Sequence, residues 1–157
     1  MEKLLIVAVG TKPPPWAQAA CAEYLKRMPR RWASGLTLVK AEPRASGQPA
    51  AKLMAAEAAR IRQRVPRGAR IVALDERGHE LDTAQFATQL ERWLGSVAPT
   101  AFVIGGADGL DPALKKDAAL LLRVSAFTLP HALAQVVLCE QLYRAASLAE
   151  GHPYHRE

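Results

Sequence analysis

Hydrophobic and polar residues follow two alternating patterns along the chain. Short apolar runs rich in β-forming residues predict strands at residues 4–10, 36–41, 70–75, 100–105 and 124–129. Between them, apolar residues recur three and four positions apart and predict helices over residues 16–28, 50–65, 83–94 and 131–149. Because strands alternate with helices throughout, the predicted fold class is α/β with a mainly parallel sheet.

The segments between these elements carry the residues that turns require. Residues 42–49 (EPRASGQP) have the proline, glycine and serine content of an exposed loop. Asp111 followed by Pro112 supplies a capping side chain and a proline at the first helical position, which predicts a further helix start. No internal repeat or linker interrupts the pattern, so the 157 residues predict one domain, residues 1–157.

Composition places the chain among globular proteins, with 50% hydrophobic and 23% charged residues. The apolar run at residues 4–9 is too short for the core of a signal peptide. No stretch approaches the roughly 18 apolar residues that a membrane span requires. We therefore expect a soluble, cytoplasmic protein without a membrane partner.

Few side chains in the sequence suggest a metal or a disulfide. Cys21 and Cys139 are the only cysteines, and neither belongs to a C-x-x-C pair, so we expect two reduced structural thiols. His152 and His155 lie three positions apart, but Pro153 separates them and no third ligand is evident. We expect no bound metal.

Charge is unevenly distributed along the chain, whose formal net charge is +6. Residues 1–99 contain 16 Lys and Arg against 9 Asp and Glu, whereas residues 100–157 contain 5 against 6. A polyanion-binding surface in the first part would account for this asymmetry, and an ordinary solvated basic face is the alternative. The candidate phosphate contacts are Arg27, Arg30, Arg31, Arg60 and Arg64.

A glycine-rich turn follows the strand predicted at residues 100–105. Ligands of open α/β sheets bind beyond the carboxyl ends of the strands, which directs attention to Leu74, Asp75 and residues 105–109 (GGADG). The G-G-x-x-G spacing is not a dinucleotide fingerprint, and no acidic residue follows about 20 positions later. A tight turn without a ligand is the alternative, because glycine also serves ordinary turns.

Residues 125–131 (SAFTLPH) form a second candidate segment. Pro130 ends the strand predicted there and His131 begins a helix, which leaves the hydroxyls of Ser125 and Thr128 near the edge of the sheet. With the neighbouring backbone groups they could surround an adenine in an apolar slot. In the alternative, Phe127 belongs to the core and His131 only starts the helix.

The C-terminal helix and tail differ in character. The helix predicted at residues 131–149 is apolar on almost all sides, which indicates deep burial or a subunit interface. Within it, Glu140 and Arg144 are four positions apart in the favourable order for an ion pair. The tail at residues 151–157 (GHPYHRE) concentrates groups that can stack on a base, bind phosphate or move a proton.

Three segments near the C-terminus, FVIGGADGL, VSAFTLPHAL and LCEQLYRAASLAEGHPYHRE, closely resemble the bacterial large-subunit ribosomal RNA methyltransferase H family of the SPOUT superfamily. LLIVAVGTKPPPW and RIVALDERG resemble it too, so the likeness spans essentially the whole chain. The resemblance implies a SPOUT-type sheet flanked by helices, with the C-terminal segment threaded into a trefoil knot. It also implies a homodimer with the long C-terminal helix in the interface.

By the same resemblance, the activity is N3-methylation of a pseudouridine in helix 69 of 23S rRNA within the assembled ribosome. The cofactor is S-adenosyl-L-methionine, and the residues implied to bind it are Leu74, Gly106, Ser125, Ala126, Phe127, Thr128, Leu129 and Pro130. The tail residues Tyr154, His155 and Arg156 would orient the base, with His155 as the first candidate for proton transfer. A packing role for His155 is the alternative.

Two features leave this interpretation open to test. Gln135 stands where the family commonly has an arginine, and Ala132 replaces a common proline. A ribosome-associated or assembly factor that has kept the fold without the activity is the alternative function. An α/β enzyme that uses a dinucleotide is disfavoured by the missing fingerprint.

Overall fold

Five parallel strands form one sheet in the computed structural model, which describes residues 3–10 and 12–156 apart from the side chains of Ser46 and His155. The strand order is β2-β1-β4-β3-β5, and every neighbouring pair is parallel. The strands are β1 (Leu4–Val9), β2 (Ser34–Val39), β3 (Arg70–Glu80), β4 (Thr100–Ile104) and β5 (Leu120–Arg123). The predicted α/β class with a mainly parallel sheet is confirmed.

Helices connect the strands and cover both faces of the sheet. They are α1 (Pro15–Lys26), α2 (Ala50–Arg64), α3 (Thr83–Leu94), α4 (Pro112–Asp117) and α5 (His131–Glu150), with short 3-10 turns at Arg30–Trp32, Arg44–Ser46 and Pro153–Arg156. Asp111 caps α4 as predicted, accepting a hydrogen bond from the Ala113 N–H, and Pro112 occupies the first helical position. Within the described part of the chain, no helix combines the length and apolar character needed to cross a bilayer.

Two hydrophobic clusters lie on opposite faces of the sheet. Leu4, Ile6 and Ala8 of β1 belong to the cluster that contains buried residues of α1, α3 and α5. Val7 and Val9 belong to the other cluster, which contains buried residues of α2 and α4. Because both faces are covered, β1 reads in sequence as a continuous apolar run.

The prediction of a strand at residues 124–129 is wrong. The last strand is β5, and the residues between it and α5 are irregular. Side chains compete there with strand pairing: the Phe127 N–H donates to Ser125 Oγ at 2.9 Å, and Arg123 Nε donates to the Ser125 carbonyl at 3.2 Å. The segment is therefore a loop held by local hydrogen bonds.

β3 extends beyond the predicted residues 70–75. Leu74 and His79 both lie opposite Leu122, so residues 75–78 loop out before pairing resumes. A Cβ at Gly78 would lie 2.5 Å from the Leu121 carbonyl oxygen, and only glycine allows the strand to return so closely. The excursion places Asp75 beside the carboxyl ends of the neighbouring strands.

Candidate active site

A cavity of about 480 Å³ lies at the carboxyl ends of β3, β4 and β5. Its walls are the residues 75–77 that loop out of β3, the glycine turn after β4, the loop after β5 and the first turn of α5. Of the residues predicted to bind the cofactor, the cavity is lined by Leu74, Gly106, Ser125, Phe127, Thr128 and Leu129. Ala126 and Pro130 belong to the same loop but do not line it.

The glycine turn, residues 105–109, forms one wall mainly from backbone. The Gly109 N–H donates to the Gly106 carbonyl at 3.0 Å, which closes the turn on itself. A Cβ at Gly105 would lie 2.5 Å from the Gly109 carbonyl carbon, and Gly109 has a φ of +85°. Packing and backbone conformation therefore both require glycine here.

Phe127 projects from the loop after β5. Its side chain is 84% exposed although it lines the cavity, so the alternative that placed Phe127 in the core is wrong. The loop is fixed below it by Arg123, which also donates from Nη2 to the Ala126 carbonyl at 3.4 Å. An aromatic ring is thus presented at the mouth of the cavity.

Asp75 brings a nearly buried carboxylate into the cavity. The Lys115 ammonium lies 3.1 Å from its Oδ2, and the Arg77 N–H donates to its Oδ1 at 2.9 Å. Burial alone would raise the pKa of Asp75, but these two donors outweigh burial and hold the pKa below its ordinary value. Asp75 was indicated by its position after the strand, whereas nothing in the sequence indicated that Lys115 and Arg77 would join it.

Sequence reasoning missed a buried ionic group next to the glycine turn. Glu57 of α2 is 2% exposed, and it accepts two hydrogen bonds from Arg44, at 2.8 and 3.1 Å, and one from the Glu42 N–H. Arg44 Nε lies 2.7 Å from Asp108 Oδ2 without a favourable N–H direction, so this contact is an ion pair rather than a hydrogen bond. The hydrogen bonds to Glu57 raise the pKa of Arg44 above its ordinary value, and Asp108 adds to this effect.

The tail packs against α5 and not at the cavity of its own chain. The Tyr154 hydroxyl donates to Glu140 Oε2 at 2.9 Å, and the Tyr154 ring lies 4.6 Å from the Tyr143 ring. Burial raises the pKa of Tyr154 well above its ordinary value, and hydrogen bonding with Tyr24 and Glu140 adds to the rise. Tyr154 and the exposed Arg156 do not line the cavity, and the side chain of His155 lies outside the description.

The predicted Glu140–Arg144 ion pair forms, at 2.7 Å, and it anchors the tail. The Arg144 guanidinium carbon lies 4.9 Å from the centre of the Tyr154 ring. Burial tends to raise the pKa of Glu140, but hydrogen bonds from Arg144, Tyr154 and Gln141 hold it below its ordinary value. Glu140 is therefore a charged carboxylate, and in this form it binds both Arg144 and the Tyr154 hydroxyl of the tail.

Some of the basic residues predicted to contact phosphate adjoin the tail. Arg27 lies over the rings of Tyr143 and Tyr154, at 4.7 and 5.5 Å, and Arg31 Nε lies 3.9 Å from Glu150 Oε1. Arg30 is exposed beside Arg31. By contrast, Arg60 and Arg64 lie on α2, on the other face of the sheet, where Arg60 is paired with Glu42.

The cysteines, the possible metal ligands and Gln135 are the remaining features singled out by the sequence. Cys21 and Cys139 are buried free thiols. In the ranges that the structure describes, no three His, Cys, Asp or Glu side chains are grouped as ligands of a metal ion would be. Gln135 is 4% exposed, and its Oε1 has no hydrogen-bond partner among the described residues.

A family model described as predicted SPOUT methyltransferase matches residues 2–155. The chain belongs to the SPOUT methyltransferase family. Among curated relatives, proteins named ribosomal RNA large subunit methyltransferase H are 55% identical in Verminephrobacter eiseniae (strain EF01-2) and 50% identical in Dechloromonas aromatica (strain RCB). Each comparison covers 155 residues, 99% of this chain and 99% of the relative. The resemblance drawn from the motifs is confirmed.

Solved structures support the fold of this SPOUT family member. A probable methyltransferase from Bordetella pertussis Tohama I is 18% identical with a TM-score of 0.59, and the alignment covers 92% of this chain and 95% of that one. A probable methylase family protein from Haemophilus influenzae Rd KW20 is 16% identical with a TM-score of 0.57, over 98% of this chain and 70% of that one. At such identities the likeness concerns the fold alone. The trefoil threading of the C-terminal segment stays a prediction.

Proposed function

We propose that this protein uses S-adenosyl-L-methionine to methylate N3 of a pseudouridine in helix 69 of 23S rRNA, within the assembled ribosome and in the cytoplasm. The observation that carries the proposal is the full-length identity, 50–55%, to relatives named ribosomal RNA large subunit methyltransferase H. The glycine-walled cavity is where a SPOUT methyltransferase with this sheet would bind a ligand. The whole chain would act as one methyltransferase domain.

The cavity suits S-adenosyl-L-methionine in size and chemistry. Its volume falls within the roughly 300–1,000 Å³ of small-molecule sites. Leu74, Leu122 and Leu129 offer apolar surface for an adenine, and the glycine turn offers backbone groups at close range. When bound, the cofactor supplies an electrophilic methyl group. The residues proposed to hold it are those that line the cavity, namely Leu74, Gly106, Ser125, Phe127, Thr128 and Leu129, with Ala126 and Pro130 in the same loop.

The protein's own residues must present the base and accept its N3 proton. Positioning of the two reactants contributes most of the acceleration in such a transfer. We propose Tyr154, His155 and Arg156 for orienting the base, with His155 taking the proton, because an imidazole titrates near neutral pH. Phe127, exposed at the mouth of the cavity, offers a surface on which a base can stack.

A homodimer would bring these groups together. The 20 residues of α5 span about 30 Å, with the cavity at the His131 end and the Arg31–Glu150 contact at the other. In a dimer with antiparallel α5 helices, the tail and the basic end of α1 from one protomer would approach the partner's cavity. The basic surface of Arg27, Arg30 and Arg31 would then hold the phosphates next to the target base.

The decisive test is methylation of ribosomes in vitro. Ribosomes from a strain lacking the gene, incubated with the purified protein and S-adenosyl-L-methionine, should gain a methylated pseudouridine in helix 69, detected by mass spectrometry of nucleosides and fragments. Free 23S rRNA in parallel tests the need for the assembled particle. If the protein binds ribosomes, yields no methylated nucleoside and shows no heat with S-adenosyl-L-methionine in calorimetry, it is an assembly factor and the proposal fails.

The role of His155 is tested separately. His155→Ala should lower the methylation rate at saturating cofactor by about 10²–10⁴-fold, the usual contribution of a general base. The affinity for S-adenosyl-L-methionine should stay near the wild-type value. His79→Ala is the control, because His79 lies on β3 and does not line the cavity. An unchanged rate for His155→Ala would remove His155 from the mechanism.

A further inference from the structure

The glycine turn that walls the cavity has little side-chain packing of its own. Gly105, Gly106 and Gly109 have no side chains, so these positions cannot be fixed by packing of their own groups. If this wall moves, the protein binds its ligand more weakly, because only the fraction of molecules with the wall in place is competent to bind. The hydrogen bond from the Gly109 N–H to the Gly106 carbonyl closes the turn on itself, so contacts from outside the cavity decide how the turn is held against the rest of the fold.

Glu57 contacts the turn without entering the cavity. A Cβ added at Gly106 would lie 3.3 and 3.5 Å from the two carboxylate oxygens of Glu57, so this carboxylate packs directly against the Gly106 backbone. Glu57 is buried on α2 and does not line the cavity. A buried carboxylate needs donors around it, and Arg44 with the Glu42 N–H supplies them.

Arg44 extends this contact to the far end of the turn. Its Nη atoms bind Glu57, its Nη1 also donates to the Glu42 carbonyl at 3.0 Å, and its Nε pairs with Asp108. An isolated surface ion pair would hold Asp108 only weakly. Here the buried Glu57 carboxylate fixes the guanidinium of Arg44, so its N–H groups have one orientation.

We infer that Arg44 and Glu57 are positioning residues for the cofactor, holding the glycine turn at Gly106 and Asp108 from outside the cavity. This inference rests on the proposed function, in which the turn contacts S-adenosyl-L-methionine. Because neither residue touches the cavity, their loss raises the dissociation constant of the cofactor and leaves the methyl-transfer rate at saturating cofactor nearly unchanged.

The first test is the double variant Arg44→Gln/Glu57→Gln. It replaces the ion pair by neutral amides of similar shape, which avoids leaving one buried charge unpaired. We expect the dissociation constant for S-adenosyl-L-methionine in calorimetry, and its KM in ribosome methylation, to rise about tenfold as the competent fraction falls. The kcat should stay within about twofold of wild type, a split that general destabilisation does not produce.

The matched control is Arg62→Gln. Arg62 also lies on α2 and pairs with Asp117, but it contacts neither the turn nor the cavity. For Arg62→Gln, the dissociation constant for S-adenosyl-L-methionine and the KM for this cofactor should equal those of the wild type. If the dissociation constant rose as much as in the double variant, the loss of any ion pair on α2 would weaken cofactor binding, and the inference would be wrong.

A second measurement stays informative if the double variant does not fold. Asp108 is on the exposed side of the network, so Asp108→Asn should fold, and it removes the ion pair between Arg44 and the turn. We compare Asp108→Asn, Arg44→Lys and their combination in a double-mutant cycle of cofactor affinity. Lysine keeps a cation beside the buried Glu57 but lacks the guanidinium that reaches Glu57 and Asp108 together. If Asp108 acts through Arg44, Asp108→Asn weakens binding in the wild-type background and has no effect beside Arg44→Lys.

Each outcome decides something. A wild-type protein that does not bind S-adenosyl-L-methionine overturns the proposed function and this inference with it. A wild type that binds, with folded Arg44 and Glu57 variants of equal affinity, overturns the inference alone. Additive effects of Asp108→Asn and Arg44→Lys also overturn it, because they would mean that Asp108 contacts the cofactor independently of Arg44.

Discussion

At the scale of single residues, Gln135 is a polar side chain at a core position. It lies on α5 among buried residues such as Leu138 and Cys139, and its Oε1 accepts no hydrogen bond from the described residues. A buried acceptor without a partner costs about 1–3 kcal/mol, whereas an apolar side chain of the same shape avoids that cost. The stability of α5 is therefore lower than its length and packing allow.

We expect Gln135→Met to leave the free energy of unfolding unchanged or to raise it by up to ~1 kcal/mol. Methionine has a similar length and volume, and it adapts to irregular space. Urea denaturation followed by circular dichroism measures the change. Leu138→Ala, which removes a fully buried side chain one turn away, should cost about 2–5 kcal/mol and calibrates the assay. A comparable loss for Gln135→Met would mean that its oxygen has a partner in solution.

At the scale of elements, the tail contains a short 3-10 turn whose Tyr154 hydroxyl binds the Glu140 carboxylate of α5. Glu140 receives hydrogen bonds from Tyr154 and Arg144, and Tyr154 packs against Tyr24 and Tyr143. Because these partners lower the pKa of Glu140, the interaction is fully formed above the ordinary glutamate pKa of about 4.3. It weakens as the pH falls below that value, through the pKa of the folded state.

Glu140 therefore makes the docking of the tail sensitive to acid. The backbone amide signal of Tyr154 in nuclear magnetic resonance should stay constant from pH 7 to about 5 and move toward an undocked position below about pH 4. Glu140→Gln should give the undocked position already at pH 7. Glu91→Gln, on the exposed side of α3, should behave as wild type. A signal that titrates near pH 6, or one still docked in Glu140→Gln, would contradict this account.

At the scale of the whole molecule, the excess of positive charge in the first part of the chain is divided between two faces. Arg30 and Arg31 lie near the end of α5 and the tail, whereas Arg62 and Arg64 lie on α2 across the sheet. Only the first group shares a surface with the residues proposed to orient the base. The net charge of the chain cannot distinguish these faces, since it counts both.

Arg30→Gln/Arg31→Gln should weaken ribosome binding and flatten its salt dependence. Removing one cation that binds a phosphate lowers the slope of log K against log salt by about one. The control Arg62→Gln/Arg64→Gln removes the same charge from the other face. It should change the affinity for the ribosome and the salt slope much less than Arg30→Gln/Arg31→Gln does. Binding measured by filter retention from 50 to 200 mM salt decides between them. Equal slopes for both double variants would assign the effect to net charge alone.

The class of fold and the position of the cavity could be predicted from the amino-acid sequence alone. Periodicity reports which side of a segment is buried, so the helix at Thr83–Leu94 and the buried strands β1 and β4 were predicted to within about one residue. The end of β3 and the position of β5 were not predicted. Strand ends in a parallel sheet meet at one edge, so Leu74 and Gly106 could be placed together from their positions after two strands. The family followed from motifs spread over the whole chain, which no periodicity could have supplied.

The pairing of polar groups that are distant in sequence depends on the three-dimensional fold. Residues 42–49 have the composition of a solvated loop, yet Arg44 in that loop meets a buried Glu57 and the glycine turn. The tail concentrates groups that can stack on a base or bind phosphate, yet Tyr154 packs on Glu140 of its own chain. Local patterns carry no information about such pairs, because an ion pair forms wherever the fold brings two charges within about 4 Å, at any separation in sequence.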